Sequence, residues 1–296
     1  MQKTLTSPPA QIEAGQLPML ALLLLFDSMH FIFARLLLPY VSPNVSAMYV
    51  MIVATIQVGI YGVVTRQLGL AALRNHWRFF LIIGLLIGIS THLGFIAIGF
   101  IDVGTAAMLN QISTVFSVGF GLFWLREHFS PIQLLGTAIA IVGSFVIAYQ
   151  PDARLQWGAL LIIVGSFCYS LHFAVVKRHG NQIDFVNFFF YRILSTALLL
   201  FLSAAGRQVL SWPSLQGWLV ILVTATVDVT ISRIFYYLAL RRLNMSLLSV
   251  ISTLSPVAAI VWAVLLFGTL PTGQQLLGGL AILVGVLVVT GMKGRK

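Results

Sequence analysis

A chain of 296 residues that is 59% hydrophobic and 8% charged, with a formal net charge of +10, lies outside the composition of soluble domains. So little polar surface cannot cover a core of that size, and an integral membrane protein is expected. The basic residues fall in short loops between apolar runs, where they set orientation in the bilayer, and no nucleic-acid partner is expected.

Residues 1–16, with Lys3, Glu13 and the pair Pro8-Pro9, read as a cytoplasmic tail. Five apolar runs follow at 17–38, 44–66, 78–98, 102–124 and 131–149, each long enough to cross a ~30 Å hydrocarbon core as a helix. Span one continues through Asp27 and His30 without a small-residue cleavage site, so it is a span and not a removed leader. Span two carries Gln57 at mid-depth, and span three carries His92, Phe95 and the pair Gly84 and Gly88, which suits close helix packing. In span four, Asn110, Thr114, Ser117 and Gly121 follow i, i+4, i+7, i+11 and draw a polar stripe along one helix face. Span five has Gly136 and Gly143 but no ionisable group.

Residues 150–155 read as an outer linker, after which runs at 156–176, 185–205, 216–239, 245–267 and 272–292 make five more spans, ending in a cytoplasmic tail at 293–296. Span six holds His172 and the lone Cys168, a core residue that has no partner for a disulfide or a zinc cluster. Span seven holds Arg192, and span eight holds Asp228, Ser232 and Arg233. In span nine Ser252, Thr253 and Ser255 precede Pro256, whose missing N–H frees a carbonyl in the preceding turn. Span ten resembles span five, with Gly278, Gly279 and Gly285.

The chain is written twice. Ser28-x-His30-Phe31 recurs as Ser170-x-His172-Phe173, and Gln133-Leu134-Leu135-Gly136 as Gln275-Leu276-Leu277-Gly278, both at an offset of 142 residues. Residues 17–149 and 156–292 are therefore two five-span repeats. An odd number of spans reverses the second repeat, which predicts an all-α membrane protein of ten helices in two inverted halves. Taking the N-terminus and every second loop as one face, that face holds Lys3, Arg66, Arg74, Arg78, Arg126, Lys177, Arg178, Arg241, Arg242, Lys293, Arg295 and Lys296. The other face holds Arg154 and Arg207, so both termini are expected in the cytoplasm.

Ionisable groups at bilayer depth are costly unless they meet a partner or a wet cavity, which makes them the functional candidates. The images of Asp27, Arg192, Asp228 and Arg233 at the offset are Tyr169, Val50, Leu86 and Thr91, so these charges break the repeat, whereas His30 and His172 obey it. An asymmetric substrate needs a site where the halves differ. The expected substrate-binding set is His30, Gln57, His92, Phe95, Asn110, His172, Arg192, Asp228, Ser232 and Ser252, with Asp27, Asp228 and Arg233 serving coupling or charge pairing. No metal and no cofactor is expected: three intramembrane histidines make at most one facing haem pair, and Ser28 and His30, two apart on a helix, lack a third catalytic group. No phosphate-binding loop points to ATP, and no charge ring points to a channel.

The ten spans, the Gln-Leu-Leu-Gly helix closing each half and Leu125-Arg126-Glu127 at the end of span four resemble the EamA-like branch of the drug/metabolite transporter superfamily, most of all the YddG-type amino-acid exporters. The pattern departs from that family where Gly268-Thr269 replaces Gly-Glu and Thr114 replaces a proline. The resemblance implies a bacterial inner-membrane exporter of amino acids, aromatic and other neutral ones included, and of related metabolites, working by alternating access through a cavity at the repeat interface. A multidrug or other metabolite exporter of the same fold is the alternative. The partners implied are a small-molecule substrate and the lipid bilayer, with the chain a monomer or a homodimer through spans five and ten.

Overall fold

Backbone amides at bilayer depth have no water to bond, so apolar runs satisfy themselves as helices. A computed structural model describes residues 22, 24–124, 131–148, 153–180, 183–235 and 254–291. Both tails, residues 150–152 of the linker, and Ser252 lie outside the described residues. Every regular element within them is helical, and none is a strand.

In chain order the helices are α1 (His30–Leu37), α2 (Pro43–Val64), α3 (Leu70–Ala97), α4 (Val103–Asn110), α5 (Ile112–Phe123), α6 (Pro131–Ala148), α7 (Ala153–His179), α8 (Phe185–Gly206), α9 (Leu215–Thr224), α10 (Ser255–Phe267) and α11 (Gly273–Gly291). A π-helical segment, Ala225–Ile231, extends α9, and the continuous helix Leu215–Phe235 joins α2, α3, α7 and α8 as the five described helices long and apolar enough to cross a membrane. The remaining apolar helices are shorter. Side chains such as Ile60, Val64, Val142, Phe145, Leu265 and Leu277 stand exposed around the outside. Such an apolar belt suits lipid and not water.

Two departures from the expected spans have local causes. The helix of span three begins at Leu70, eight residues before the apolar run, because a polar stretch, Arg74-Asn75-His76, continues it through a kink at His76 (φ −127°, ψ 25°) before the buried part. Span four is two helices, since Gln111 adopts φ −64°, ψ −17° and its N–H bonds Met108 O at i−3 instead of the α-helical i−4.

The repeat is visible in the backbone. α2 runs from 43 to 64 and α8 from 185 to 206, and each ends with a left-handed residue one position past its C-cap, Arg66 (φ 55°) and Gln208 (φ 54°). In both, the next N–H reaches back to the helix: Gln67 N donates to Gly62 O at 3.0 Å and Val209 N to Ala204 O at 3.1 Å. The same helix-stop motif thus recurs at the sequence offset. Neither left-handed residue is glycine, and in each half the paired amides compensate for the strain.

α6 and α11 pack against each other through the glycines. A Cβ on Gly136 would lie 2.7 Å from Gly285 O, and one on Gly143 would lie 2.6 Å from Gly278 O. Gly136 and Gly278 are repeat images, as are Gly143 and Gly285, so each contact is the other with its halves exchanged. That reciprocity is the signature of a two-fold relation between the two helices. Where backbones touch this closely, any side chain overpacks. Gly143→Val is expected to cost about 1–3 kcal/mol, lowering the thermal midpoint of the detergent-purified protein by at least ~2 °C. Gly119→Ala, whose Cβ would meet open space, is expected to cause no loss in the same melt.

Candidate functional site

Helix interruptions gather around the buried charges. Residues 24–27 are helical, Ser28 and Met29 form a turn, and α1 starts afresh at His30, so Asp27 and His30 flank a break in span one. The Ser28 hydroxyl donates to Leu25 O at 2.9 Å and satisfies one carbonyl there. Asp228 lies in the π segment, where an added residue per turn widens the helix and shifts side-chain direction. α10 begins at Ser255-Pro256.

His30 Nδ1–H donates to Asp228 Oδ2 at 2.8 Å, joining residues 198 positions apart and one half of the repeat to the other. A carboxylate only accepts, which assigns the proton to Nδ1. Asp228 is 4% exposed and His30 is 29% exposed, so the acid is walled in and the imidazole forms the accessible edge of the pair. The Phe31 and Phe95 rings stand steeply to the imidazole at centroid distances of 5.0 and 5.8 Å. Asp27 lies within electrostatic reach of Arg233, Asp228 and His30, with the Ser255 hydroxyl nearby. Arg233 Nη1 donates to Tyr169 Oη at 3.3 Å. Arg233 therefore holds Tyr169, the repeat image of Asp27, while its charge also acts on Asp27.

His172, the image of His30, is 1% exposed, and neither ring nitrogen has a hydrogen-bond partner among the described residues. The repeat explains this. The image of Asp228 is Leu86, so the partner that His30 finds has no counterpart for His172. Tyr169 and Phe173 flank its ring, and Arg192 and Arg233 act on it electrostatically. Arg192 is 8% exposed, with its guanidinium 5.3 Å from the Phe189 ring centroid.

The structure therefore brings Asp27, His30, Phe95, Asp228 and Arg233 into one cluster, with His172 and Arg192 adjoining through Arg233 and Tyr169. Ser232 is buried beside Arg233 in sequence, and His92 is half-buried with its Nδ1 unpartnered among the described residues. Two expected lining residues are engaged in tying helices together. Gln57 Nε2 donates to Thr226 Oγ1 at 2.7 Å and its Oε1 accepts from Thr230 at 3.0 Å, so α2 clamps the π segment on both sides of Asp228. Asn110 Oδ1 accepts from Ser166 at 3.1 Å, and the Ser170 hydroxyl donates to Ser113 O, holding the break in span four against α7. Tyr169 and Ser255 join the site without having been expected in it, although Tyr169 was marked as the offset image of Asp27. Among the described residues no three His, Cys, Asp or Glu side chains form a metal cage.

Replacing Gln57 with Leu strands Thr230 and unclamps the π segment. The expected cost is about 1–3 kcal/mol, read as a lower melting midpoint together with faster hydrogen exchange confined to Ala225–Ile231 and its neighbours.

The model of the EamA-like transporter family matches this chain twice, at residues 17–149 and 156–291. An uncharacterized transporter of Clostridium kluyveri is 24% identical over 205 residues, 65% of either chain. The uncharacterized transporter YdfC of Bacillus subtilis is 26% identical over 194 residues, 63% of this chain and 62% of that one. The chain thus spans just under two-thirds of the length of these relatives. One solved crystal structure superimposes with a TM-score of 0.67 at 21% identity, covering 97% of this chain and 100% of the other, a likeness of fold.

Proposed function

Because the chain belongs to the EamA-like transporter family, we propose that it exports amino acids, including aromatic and other neutral ones, and related small metabolites across a bacterial inner membrane by alternating access. Family membership and transporter-named relatives mark a multi-pass membrane transporter, not an enzyme. The finer reading has ten spans in two inverted halves, both termini in the cytoplasm and the substrate held where the halves meet. The recurring helix-stop motif, the reciprocal glycine contacts and the double family match support the repeat. The asymmetry of basic loops supports the orientation.

The observation that carries the reading is the charge cluster joining spans one and eight at broken helices. Transporters of inverted-repeat design bind substrate at interrupted helices near the midplane, because only there does bare backbone and charge face a cavity. A zwitterion fits the two sides of this site. Its carboxylate suits Arg192 and the imidazole of His172, unpartnered among the described residues, and its ammonium suits the carboxylates of Asp27 and Asp228. Phe31 and Phe95, packed against His30, supply an apolar wall for the side chain. The same rings beside carboxylates favour a second reading, export of aromatic cationic drugs.

Uptake of labelled amino acids into proteoliposomes tests this. Saturable uptake is expected in the wild type, falling about tenfold or more in Arg192→Ala, the loss of one charge-assisted hydrogen bond. Equal uptake by the variant at equal protein abundance contradicts the assigned role of Arg192, and absence of saturable amino-acid uptake by folded wild type shifts the reading to the drug or metabolite alternative.

A further inference from the structure

α2 and α8 are tied together at both ends by contacts that are repeat images of each other. Tyr49, near the start of α2, donates its hydroxyl to Ser211 O at 2.9 Å, in the loop after α8. Tyr191, near the start of α8, donates its hydroxyl to Gly69 O at 3.1 Å, in the segment after α2. Tyr49 with Tyr191, and Gly69 with Ser211, stand at the offset of 142 residues, so one contact is the other with the halves exchanged. Both tyrosines are buried. Because each helix starts beside the point where the other ends, the two latches close opposite ends of an antiparallel pair.

The two ends are not held equally. At the Gly69 end, buried Asn187 adds two bonds between the halves: its Oδ1 accepts from Gly69 N at 2.9 Å, and its Nδ2 donates to Gln67 O at 2.9 Å. Asp184, the N-cap of α8, steers this amide by accepting from Asn187 N at 3.1 Å and from Nδ2 at 2.6 Å. At the Ser211 end the images of Asn187 and Asp184 are Val45, whose side chain has no polar atom, and Ser42, which caps α2 without a side-chain hydrogen bond. Aromatic packing does not offset this difference. Trp218 lies 5.2 Å from the Tyr49 ring and Phe80 5.5 Å from the Tyr191 ring, so both latches have a ring behind them and one alone has the amide.

Opening either end of the pair breaks the latch there. Parting the Gly69 end breaks three of these bonds between the halves, and parting the Ser211 end breaks one. At the usual net worth of a hydrogen bond, the two additional bonds favour opening at Ser211 by about thirtyfold.

We propose that Asn187 is a positioning residue that keeps the Gly69 end of the α2–α8 pair latched while the Ser211 end opens, so that the substrate-free protein opens preferentially toward the outer side. The proposal rests on the alternating-access reading and on its orientation, in which Gly69 lies in a cytoplasmic loop with Arg66 and Arg74. In an inverted repeat, exchanging the halves exchanges the latches. The Asn187 bonds have no image, so they weight the two states unequally.

Spin-label distances in the full chain, substrate-free in lipid nanodiscs and with Cys168→Ser as background, test this at both ends. Asn44→Cys with Gly206→Cys reads the Ser211 end, and the image pair, Val186→Cys with Val64→Cys, reads the Gly69 end. A Cβ at Gly206 meets open space, and Val64 is exposed. The Ser211 end is expected to show an added longer distance, and the Gly69 end a single narrow one. Asn187→Val, which copies Val45, should raise the open population at the Gly69 end about thirtyfold relative to the closed one, with the Ser211 pair still reporting its closed distance. A Ser211 end as narrow as the other, a Gly69 end already broad, or Asn187→Val widening both pairs alike or neither overturns the proposal. Tyr191→Phe provides a second variant: losing one of the three bonds, it must give a smaller shift confined to the Gly69 pair, and no shift overturns the latch. Labelling Gly206→Cys on intact cells with a membrane-impermeant maleimide reads the orientation separately. Modification supports the outward preference; protection overturns that preference, while the spin distances still decide the role of Asn187.

Discussion

A charge buried at bilayer depth has no water to relax into, so it must be met by another group of the protein or by what the protein carries. In this chain the constraint is satisfied across the repeat, by His30 from the first half and Asp228 from the second, 2.8 Å apart. Much of the surrounding structure serves that contact. The break at Ser28 and Met29 lets Asp27 and His30 both face span eight, the π segment turns Asp228 toward them, and Gln57 grips that segment from α2 at Thr226 and Thr230. Each of these features is poor helix on its own. Together they place two acids, a base and a guanidinium in one cluster.

The halves agree in their scaffold and differ in their charges. α2 and α8 begin, end and terminate alike, and α6 and α11 exchange equivalent glycine contacts. At the cluster the agreement stops, because Leu86, Thr91 and Tyr169 stand where the other half has Asp228, Arg233 and Asp27. The ring of His172, without a hydrogen-bond partner among the described residues, is the physical trace of that difference. If the halves exchange conformations during transport, as an inverted repeat implies, the His30 contact has no equivalent in the exchanged state. A link present in one state alone biases the equilibrium toward that state by its own strength.

Much of the framework was legible because bilayer thickness leaves a strong mark on sequence. The expected run 44–66 is α2 at Pro43–Val64, and 185–205 is α8 at Phe185–Gly206. The start of α3 was not legible, since Arg74, Asn75 and His76 read as a loop while their backbone continues the helix through a kink. Nor were the breaks at Ser28 and Gln111, which have neither Gly nor Pro and are held by tertiary hydrogen bonds or local hydroxyls. Within the site, departures from the repeat picked out Asp27, Asp228, Arg192 and Arg233, because a costly residue present in one half alone needs a reason. Pairing was hidden: His30 and Asp228 stand 198 positions apart, and nothing between them marks the contact. Gln57 and Asn110 were read as lining because a polar residue at mid-span looks the same whether it faces a cavity or a hydroxyl on the next helix. The facing Thr226, Thr230 and Ser166 decide it, and only the fold brings them there.

The account turns on His30 and Asp228 acting as one unit across the two halves. Exchanging them tests that directly, by measuring thermal stability and transport of His30→Asp, Asp228→His and the double variant in one cycle. Each single exchange sets like groups against each other and is expected to lose stability and transport, while the double variant restores the acid–base pair and should recover much of both. A double variant no better than the sum of the two single losses would contradict the pairing.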